Sequence, residues 1–142
     1  MKASDKKIKR EEPLSVELMI ATVSQNDDSV LDRMHVQSDA VVINQGSPFQ
    51  WQEFRQDDHL IRFLCCEELG IGLSRNTALM RARGDICLFA DDDLVYRDGY
   101  VEKNRESFPG TSRRRCYCVQ YPVDRRKETQ IPDPKAKAHP LV

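Results

Sequence analysis

The sequence predicts a single α/β domain with a mainly parallel sheet flanked by helices. Short apolar runs rich in β-branched residues alternate with segments in which apolar residues recur at helical spacing. The predicted order is strand, helix, strand, strand, helix, strand, with short connections, which is typical of a parallel sheet covered by helices. The 142 residues are enough chain for one ordinary core.

The first half of the chain predicts three strands and a short helix. Residues 1–13 are charged and lack the apolar segment of a secretory signal, so we expect a disordered leader. The apolar run Ser15–Val23 predicts the first strand, and the polar segment after it ends that strand. The next predicted elements are a helix within Asp28–Met34, a buried strand at Ala40–Ile43 and a strand at His59–Cys66.

The second half predicts a helix, a strand and another helix. Ser74 is a favourable N-cap, and Gly84 is expected to stop the helix that Ser74 begins. The apolar run Asp85–Ala90 predicts a strand, and Gly99–Phe108 predicts a helix. We therefore place one domain at residues 14–108.

The composition changes after Phe108. Five of the seven prolines fall there, together with eight basic and only three acidic residues. No periodicity persists beyond one short strand within Cys116–Val123, so residues 109–142 are predicted to be a basic, proline-rich and largely disordered tail. The arginine clusters in this tail are either solvated or available to phosphates.

Charge and cysteine content limit the classes of function. The formal net charge of −1 gives no reason to expect nucleic acid as a partner, and no apolar run reaches the ~20 residues of a membrane span. The five cysteines form neither a disulfide framework nor a CxxC zinc pattern. We expect reduced thiols in a cytoplasmic protein, with peripheral association at the inner face of a membrane left open.

Three adjacent carboxylates, Asp91, Asp92 and Asp93, follow the predicted strand at Asp85–Ala90. Parallel α/β sheets bind ligands outside the carboxyl ends of their strands, where these side chains would lie. Carboxylate oxygens on a short turn suit Mg²⁺ or Mn²⁺, which accept phosphate oxygens as further ligands. From the three residues alone, an exposed acidic turn and a cation site are equally good interpretations.

The segment Gly72–Asp93, GLSRNTALMRARGDICLFADDD, resembles the family 2 glycosyltransferases of the GT-A fold. That family has a Ser-Arg-Asn segment at the start of a helix, then Ala-x-Gly-Asp, an apolar strand and Asp-Asp or Asp-x-Asp. Here these elements are Ser74–Asn76, Ala82–Asp85, Ile86–Ala90 and Asp91–Asp93. The resemblance covers about residues 15–108 and implies the nucleotide-sugar-binding half of a GT-A domain, incomplete at the C-terminus.

The resemblance also implies roles for individual residues. Thr22 and Asn44 would flank the nucleobase, and Arg75 would reach the base or a phosphate. Asp91 or Asp92 would bind the ribose or metal, while Asp93, with Asp91, would hold the Mn²⁺ or Mg²⁺ cofactor. The implied donor is a nucleotide-diphosphate sugar, with UDP the expected nucleotide, and the implied acceptor is a glycan or a lipid-linked sugar.

The implied reaction is inverting transfer, for which the family uses a carboxylate base in a second half. No such half is recognisable after Phe108, so we name no base and expect a truncated chain whose strand at Ile86–Ala90 has an exposed edge. An alternative function is an inactive nucleotide- and metal-binding fragment. A metal-dependent phosphoryl-transfer domain ranks below both, because the chain lacks a P-loop.

Overall fold

The computed structural model describes residues 12–108, 117–119 and 139–140. Within these residues, seven strands form one sheet in the order β3-β4-β2-β1-β5-β6-β7. The strands are β1 (Val16–Val23), β2 (Asp39–Gln45), β3 (Gln50–Gln56), β4 (His59–Cys66), β5 (Ile86–Asp91), β6 (Tyr117–Val119) and β7 (His139–Pro140). The helices are α1 (Val30–Arg33), α2 (Ile71–Arg81) and α3 (Tyr100–Glu106).

The sheet is mostly parallel, as predicted. β1 lies at its centre and pairs in parallel with β2 and β5, β2 pairs in parallel with β4, and β5 pairs in parallel with β6. Only β3 and β7 run antiparallel to their neighbours. This architecture is a GT-A-like, Rossmann-like α/β fold, and it brings the carboxyl ends of β1, β2 and β5 to one edge.

Alternate side chains of the strands pack on opposite faces of the sheet. On one face, Leu18, Ile20 and Val42 belong to a core that includes residues of α1 and α3. On the other face, Met19 and Val41 belong to a smaller core that includes Ala78 of α2. The helices therefore fix the sheet from both sides.

The helix α2 begins earlier than predicted. It starts at Ile71 with Gly70 as N-cap and ends at Arg81, three residues before Gly84. The prediction that Ser74 is the N-cap is wrong, because Ser74 lies inside the helix and its hydroxyl donates to the carbonyl of Ile71 at 3.0 Å. The glycine-containing Leu-Gly-Ile-Gly segment thus contributes to the first turn.

The strand β3 was not predicted. It forms an antiparallel hairpin with β4 through Asp57 and Asp58, which both have positive φ angles of 49° and 66°. Two-residue hairpin loops with both residues in the left-handed conformation are common, because the twist of such a loop matches the right-handed twist of the two strands. The β3 segment is an edge strand with mostly exposed polar side chains, so it lacks the apolar run that identifies buried strands.

The prediction that β5 has an exposed edge is wrong for the first three residues of the strand. Ile86, Cys87 and Leu88 pair in parallel with the three residues of β6, which lie within the predicted short strand at Cys116–Val123. β5 therefore lies between β1 and the later strand β6. The other tail residues, apart from β7, lie outside the described residues, and the predicted domain boundaries remain predictions.

No helix in the described part of the chain is both long enough and apolar enough to cross a membrane.

Candidate functional site

Polar side chains gather where β1, β2 and β5 end. β1 ends at Val23, and Ser24 then takes a left-handed conformation with φ of 52° while its amide donates to the carbonyl of Gln45 at 2.8 Å. This turn directs the following loop across the end of β2. β5 ends at Asp91, opposite Ala21 of β1 in the register.

Thr22 and Asp92 are in direct contact. The Thr22 hydroxyl donates to Asp92 Oδ2 at 2.7 Å, across 70 positions of sequence. The Gln25 side-chain amide donates to the same Thr22 oxygen at 2.9 Å. Thr22 is buried whereas Asp92 is exposed. The Thr22 hydroxyl therefore holds one oxygen of the Asp92 carboxylate, while the carboxylate remains accessible to a ligand.

Arg75 lies beside Asp91. Its guanidinium nitrogen is 3.7 Å from Asp91 Oδ1, and the guanidinium carbon lies 5.6 Å from the centre of the Phe89 ring. The Arg75 and Asp91 side chains are 29% and 51% exposed, so this pair is screened by solvent and can exchange partners with a bound anion. The ring of Phe89 provides a face that favours the cation.

Asn44 of β2 is buried, and its side chain contacts the turn that follows β1. Its Oδ1 accepts from the amide of Gln25 at 2.9 Å, and its Nδ2 donates to the carbonyl of Gln25 at 2.9 Å. The side chain is fully buried, so its observed contacts hold the loop beside the site. A direct contact between Asn44 and a nucleobase remains a prediction.

Gln45, the last residue of β2, holds the start of α2. Its Nε2 donates to the carbonyl of Gly70 at 3.0 Å, and its Oε1 accepts from the amide of Gly70 at 3.4 Å. Gly70 has a φ of 148°, which a residue with a side chain adopts only with strain. These contacts fix the N-terminal end of the helix that carries Arg75.

The three aspartates do not form a ready-made metal cage. Within the described residues, no group of three or more His, Cys, Asp or Glu side chains is arranged to hold a metal ion. Magnesium-type sites need only one or two carboxylates when a substrate phosphate supplies other ligands. Asp91 and Asp93, both exposed at the end of β5, fit that smaller donor set.

The fold thus brings together four of the residues singled out in the sequence: Thr22, Arg75, Asp91 and Asp92. Sequence reasoning missed Gln25 and Gln45, which contact these elements through side-chain amides. Both lie in segments that the sequence marks only as strand ends. Their roles depend on distant contacts, so no local pattern identifies them.

The structure therefore defines an α/β domain with a polar site at the carboxyl edge of a parallel sheet. The chain matches the model of the family described as "Glycosyl transferase family 2" over residues 20–136. It belongs to glycosyl transferase family 2. The match extends beyond residue 108, where the motif resemblance ends.

A curated relative is "Glycosyltransferase GlyA" from Streptococcus pneumoniae serotype 4 (strain ATCC BAA-334 / TIGR4). It is 32% identical to this chain over 79 residues, which cover 53% of this chain and 11% of the relative. The aligned part thus spans about a tenth of the length of that relative. No solved structure matches the chain significantly.

Proposed function

We propose that this chain is the donor-binding part of a glycosyltransferase that takes a nucleotide-diphosphate sugar, with UDP as the nucleotide and Mn²⁺ or Mg²⁺ as cofactor. The observation that carries the proposal is the convergence of Thr22 with Asp92 and of Arg75 with Asp91 at the carboxyl edge of the sheet. These residues come from β1, from α2, and from the end of β5 with the residue that follows it.

The charges at this edge suit a metal-bound diphosphate. Asp91 and Asp93 would hold the cation, which supplies charge neutralisation for the departing nucleoside diphosphate. Arg75 would then exchange part of its contact with Asp91 for a phosphate oxygen, because a guanidinium binds phosphate through paired hydrogen bonds. Asp92, whose Oδ2 accepts from the Thr22 hydroxyl at 2.7 Å, would accept a hydrogen bond from the ribose.

The transferred group would leave the diphosphate by displacement at the anomeric carbon. The proposal covers donor binding and support of the leaving group, and it assigns no general base to the described residues. Transfer to a glycan or lipid-linked acceptor with inversion is therefore part of the proposal only as the reaction that the family relationship favours.

Calorimetric titration tests donor binding. UDP, GDP and dTDP are titrated into the full chain with and without Mn²⁺, and we expect UDP to bind most tightly and only weakly without the metal. Asp93→Ala should remove the metal-dependent gain, which we expect to be tenfold or more, or about 1.4 kcal/mol. Asp98→Ala is the matched control, because Asp98 is an exposed aspartate whose side chain pairs with His35 at 3.5 Å.

Arg75→Met tests the phosphate contact, with Arg81→Met as the control on the same helix. The Arg81 guanidinium carbon lies 5.6 Å from the centre of the Trp51 ring. We expect the Arg75 change to weaken UDP binding about tenfold or more, since a hydrogen bond to a charged group contributes ~1.5–3 kcal/mol. Equal affinity in the two variants, or no metal-dependent binding of any nucleotide, would refute the proposal.

Hydrolysis of UDP-sugars separates an active enzyme from an inactive binding module. Release of UDP from UDP-glucose or UDP-N-acetylglucosamine, dependent on Mn²⁺ and lost in Asp93→Ala, is the result expected of an active donor site. Binding of UDP without any turnover would instead support the alternative of a catalytically inactive fragment.

A further inference from the structure

The strand β3 forms one edge of the sheet. Within the described residues, β3 pairs with β4 on one side and with no strand on the other. Each of its seven residues, Gln50–Gln56, pairs with one residue of β4, so the strand contains no bulge. Neither proline nor glycine occurs in it. Proteins commonly protect a sheet edge with a very short strand, a bulge or a proline, and β3 has none of these features.

The backbone groups on the outer edge of β3 are those of Trp51, Glu53 and Arg55. The loop between β3 and β4 has two residues, so Gln56 and His59 close the turn with backbone hydrogen bonds between the two strands. Hydrogen-bonded and non-hydrogen-bonded pairs alternate along an antiparallel ladder, so every second residue counted back from Gln56 bonds to β4. The amides and carbonyls of residues 51, 53 and 55 therefore point away from β4.

The side chains of Glu53 and Arg55 lie exposed on the same face of β3 and carry opposite charges. The Glu53 carboxylate has no hydrogen-bond or ion-pair partner among the described residues. The Arg55 guanidinium donates through Nη1 to the carbonyl of Asp58 at 3.0 Å, and it has further N–H donors for a carboxylate. Phe54 points to the opposite face, where it is partly buried against the core.

A second copy of β3 is complementary to the first in one antiparallel register. When the twofold axis passes through Phe54, Glu53 of each copy lies opposite Arg55 of the other copy. Both residues direct their backbone groups outward, so each such pair can exchange both backbone hydrogen bonds. Opposite charges stabilise directly opposed residues and like charges destabilise them. A register centred on Glu53 is therefore less favourable, because it places the two Glu53 side chains opposite each other.

We propose that the outer edge of β3 pairs with the same edge of a second copy of this chain, antiparallel and with Phe54 on the twofold axis. The contact closes at two copies, because both use the same edge. The parallel strands of the two copies then run in opposite directions, so the two polar edges with Asp91 and Asp92 lie at opposite ends of the dimer. The inference is independent of donor binding, because the candidate site includes no residue of β3.

Sedimentation velocity tests for the dimer. The full chain is measured over about a hundredfold range of concentration, because dimerisation follows mass action. A reductant prevents cross-linking through the five cysteines. One strand from each copy makes a small interface, so we expect a reversible monomer–dimer equilibrium with a dissociation constant in the micromolar range. A monomer at every concentration, or growth past the dimer, overturns the inference.

Charge reversal tests the register. Arg55→Glu and Glu53→Arg each place like charges opposite each other, so each variant alone should dimerise about tenfold more weakly than the wild type, or less. An equimolar mixture of the two variants restores opposite charges at both pairs, so it should form a dimer with about the wild-type affinity. Unchanged dimerisation of the single variants, or no recovery in the mixture, overturns the inference.

Two charge reversals on α3 are the controls. Lys103 and Glu106 are exposed on this helix, which packs on β1 at the centre of the sheet. Lys103→Glu and Glu106→Arg should retain the wild-type dimer, and an equal loss in these variants would show a general charge effect and overturn the inference. Urea denaturation well below the dissociation constant should give the β3 variants the wild-type free energy of unfolding, because the chain is then monomeric.

Amide hydrogen exchange, followed by NMR, locates the contact. The amides of Glu53 and Arg55 gain acceptors only in the dimer, so their exchange should slow as the concentration of the chain rises. The amides of Gln52 and Phe54 bond to β4 in the monomer as well and should change less. Protection that increases on another element but not at Glu53 and Arg55 would assign the dimer to a different surface and overturn the inference.

Discussion

A buried ion pair between Glu17 of β1 and Arg62 of β4 offers the sharpest test of the fold. Each residue is only 2% exposed, and an Arg62 guanidinium nitrogen donates to Glu17 Oε1. The other carboxylate oxygen accepts from the amides of Arg83 at 2.6 Å and Gly84 at 2.8 Å. Arg62 also donates to the carbonyl of Arg81 at the end of α2.

Arg62→Met leaves the Glu17 carboxylate buried with two backbone amides as its remaining donors. Breaking a buried pair by removing one partner costs about 3–5 kcal/mol, because the other charge stays out of water. The carbonyl of Arg81 also loses a donor. A typical domain has a free energy of unfolding of ~5–15 kcal/mol, so this variant should lose a large fraction of its stability.

The double variant Glu17→Gln with Arg62→Met should recover part of the loss. The side-chain carbonyl of the glutamine introduced by Glu17→Gln can still accept from the amides of Arg83 and Gly84. The double variant has neither of the two buried charges. Replacing both charges of a buried pair is often close to neutral. We therefore expect the double variant to be more stable than Arg62→Met by about 1–3 kcal/mol.

Urea denaturation, monitored by circular dichroism and by fluorescence, measures these free energies of unfolding. The chain has one tryptophan, Trp51, and the Arg81 guanidinium lies over its ring, so fluorescence reports the end of α2. Arg55→Met is the matched control, since Arg55 is exposed and should change stability by at most ~0.5 kcal/mol. A loss below about 1 kcal/mol in Arg62→Met, or a double variant less stable than this single one, would refute the reasoning.

Three further predictions follow from single contacts. In Gly84→Ala, the added Cβ would lie 2.7 Å from the Cβ of Glu17. We therefore expect the free energy of unfolding, measured by urea denaturation, to fall by about 1–3 kcal/mol. Gly72→Ala is the control and should lose no stability, because a Cβ at Gly72 meets nothing within 4 Å. Asn44→Leu removes the partners of both backbone groups of Gln25 and should cost about 2–4 kcal/mol; unchanged stability would show that water replaces them. Burial raises the pKa of the Tyr100 hydroxyl, so its contribution to stability is complete below the unfolded pKa of ~10 and is lost as the pH rises through the higher folded value. Ultraviolet titration of the chain should show an ionisation step above the ordinary range of tyrosine, and Tyr100→Phe should remove that step.

The local motif explains why the sequence predicted the main elements and part of the site. Gly72–Asp93 carries α2, β5 and the aspartates in one continuous segment, so their order and spacing are visible without any distant contact. Thr22 was singled out by the family resemblance, at the end of an apolar strand. The strand β3 was missed because its exposed polar side chains look like a loop when the partner strand is unknown.

The contacts that hold the site could not be predicted in the same way. The sequence shows a charged Glu17 within an apolar strand, but nothing local indicates that Arg62, 45 positions later, is its partner. Likewise, the resemblance implied a nucleobase contact for Asn44, and in the fold its side-chain amide makes hydrogen bonds with the backbone of Gln25. Side chains with several possible partners are assigned only by the three-dimensional arrangement.

These distant contacts bear on the proposed donor binding through α2. Gln45 fixes Gly70 at one end of the helix, and the Glu17–Arg62 pair fixes Arg81 and the following turn at the other. Arg75 lies between them, six residues before Arg81, or about 9 Å along a rigid helix. A displacement of either end would therefore move the Arg75 guanidinium relative to Asp91. If this coupling is correct, Arg62→Met should weaken UDP binding even at temperatures where the variant is fully folded, while Arg55→Met should not.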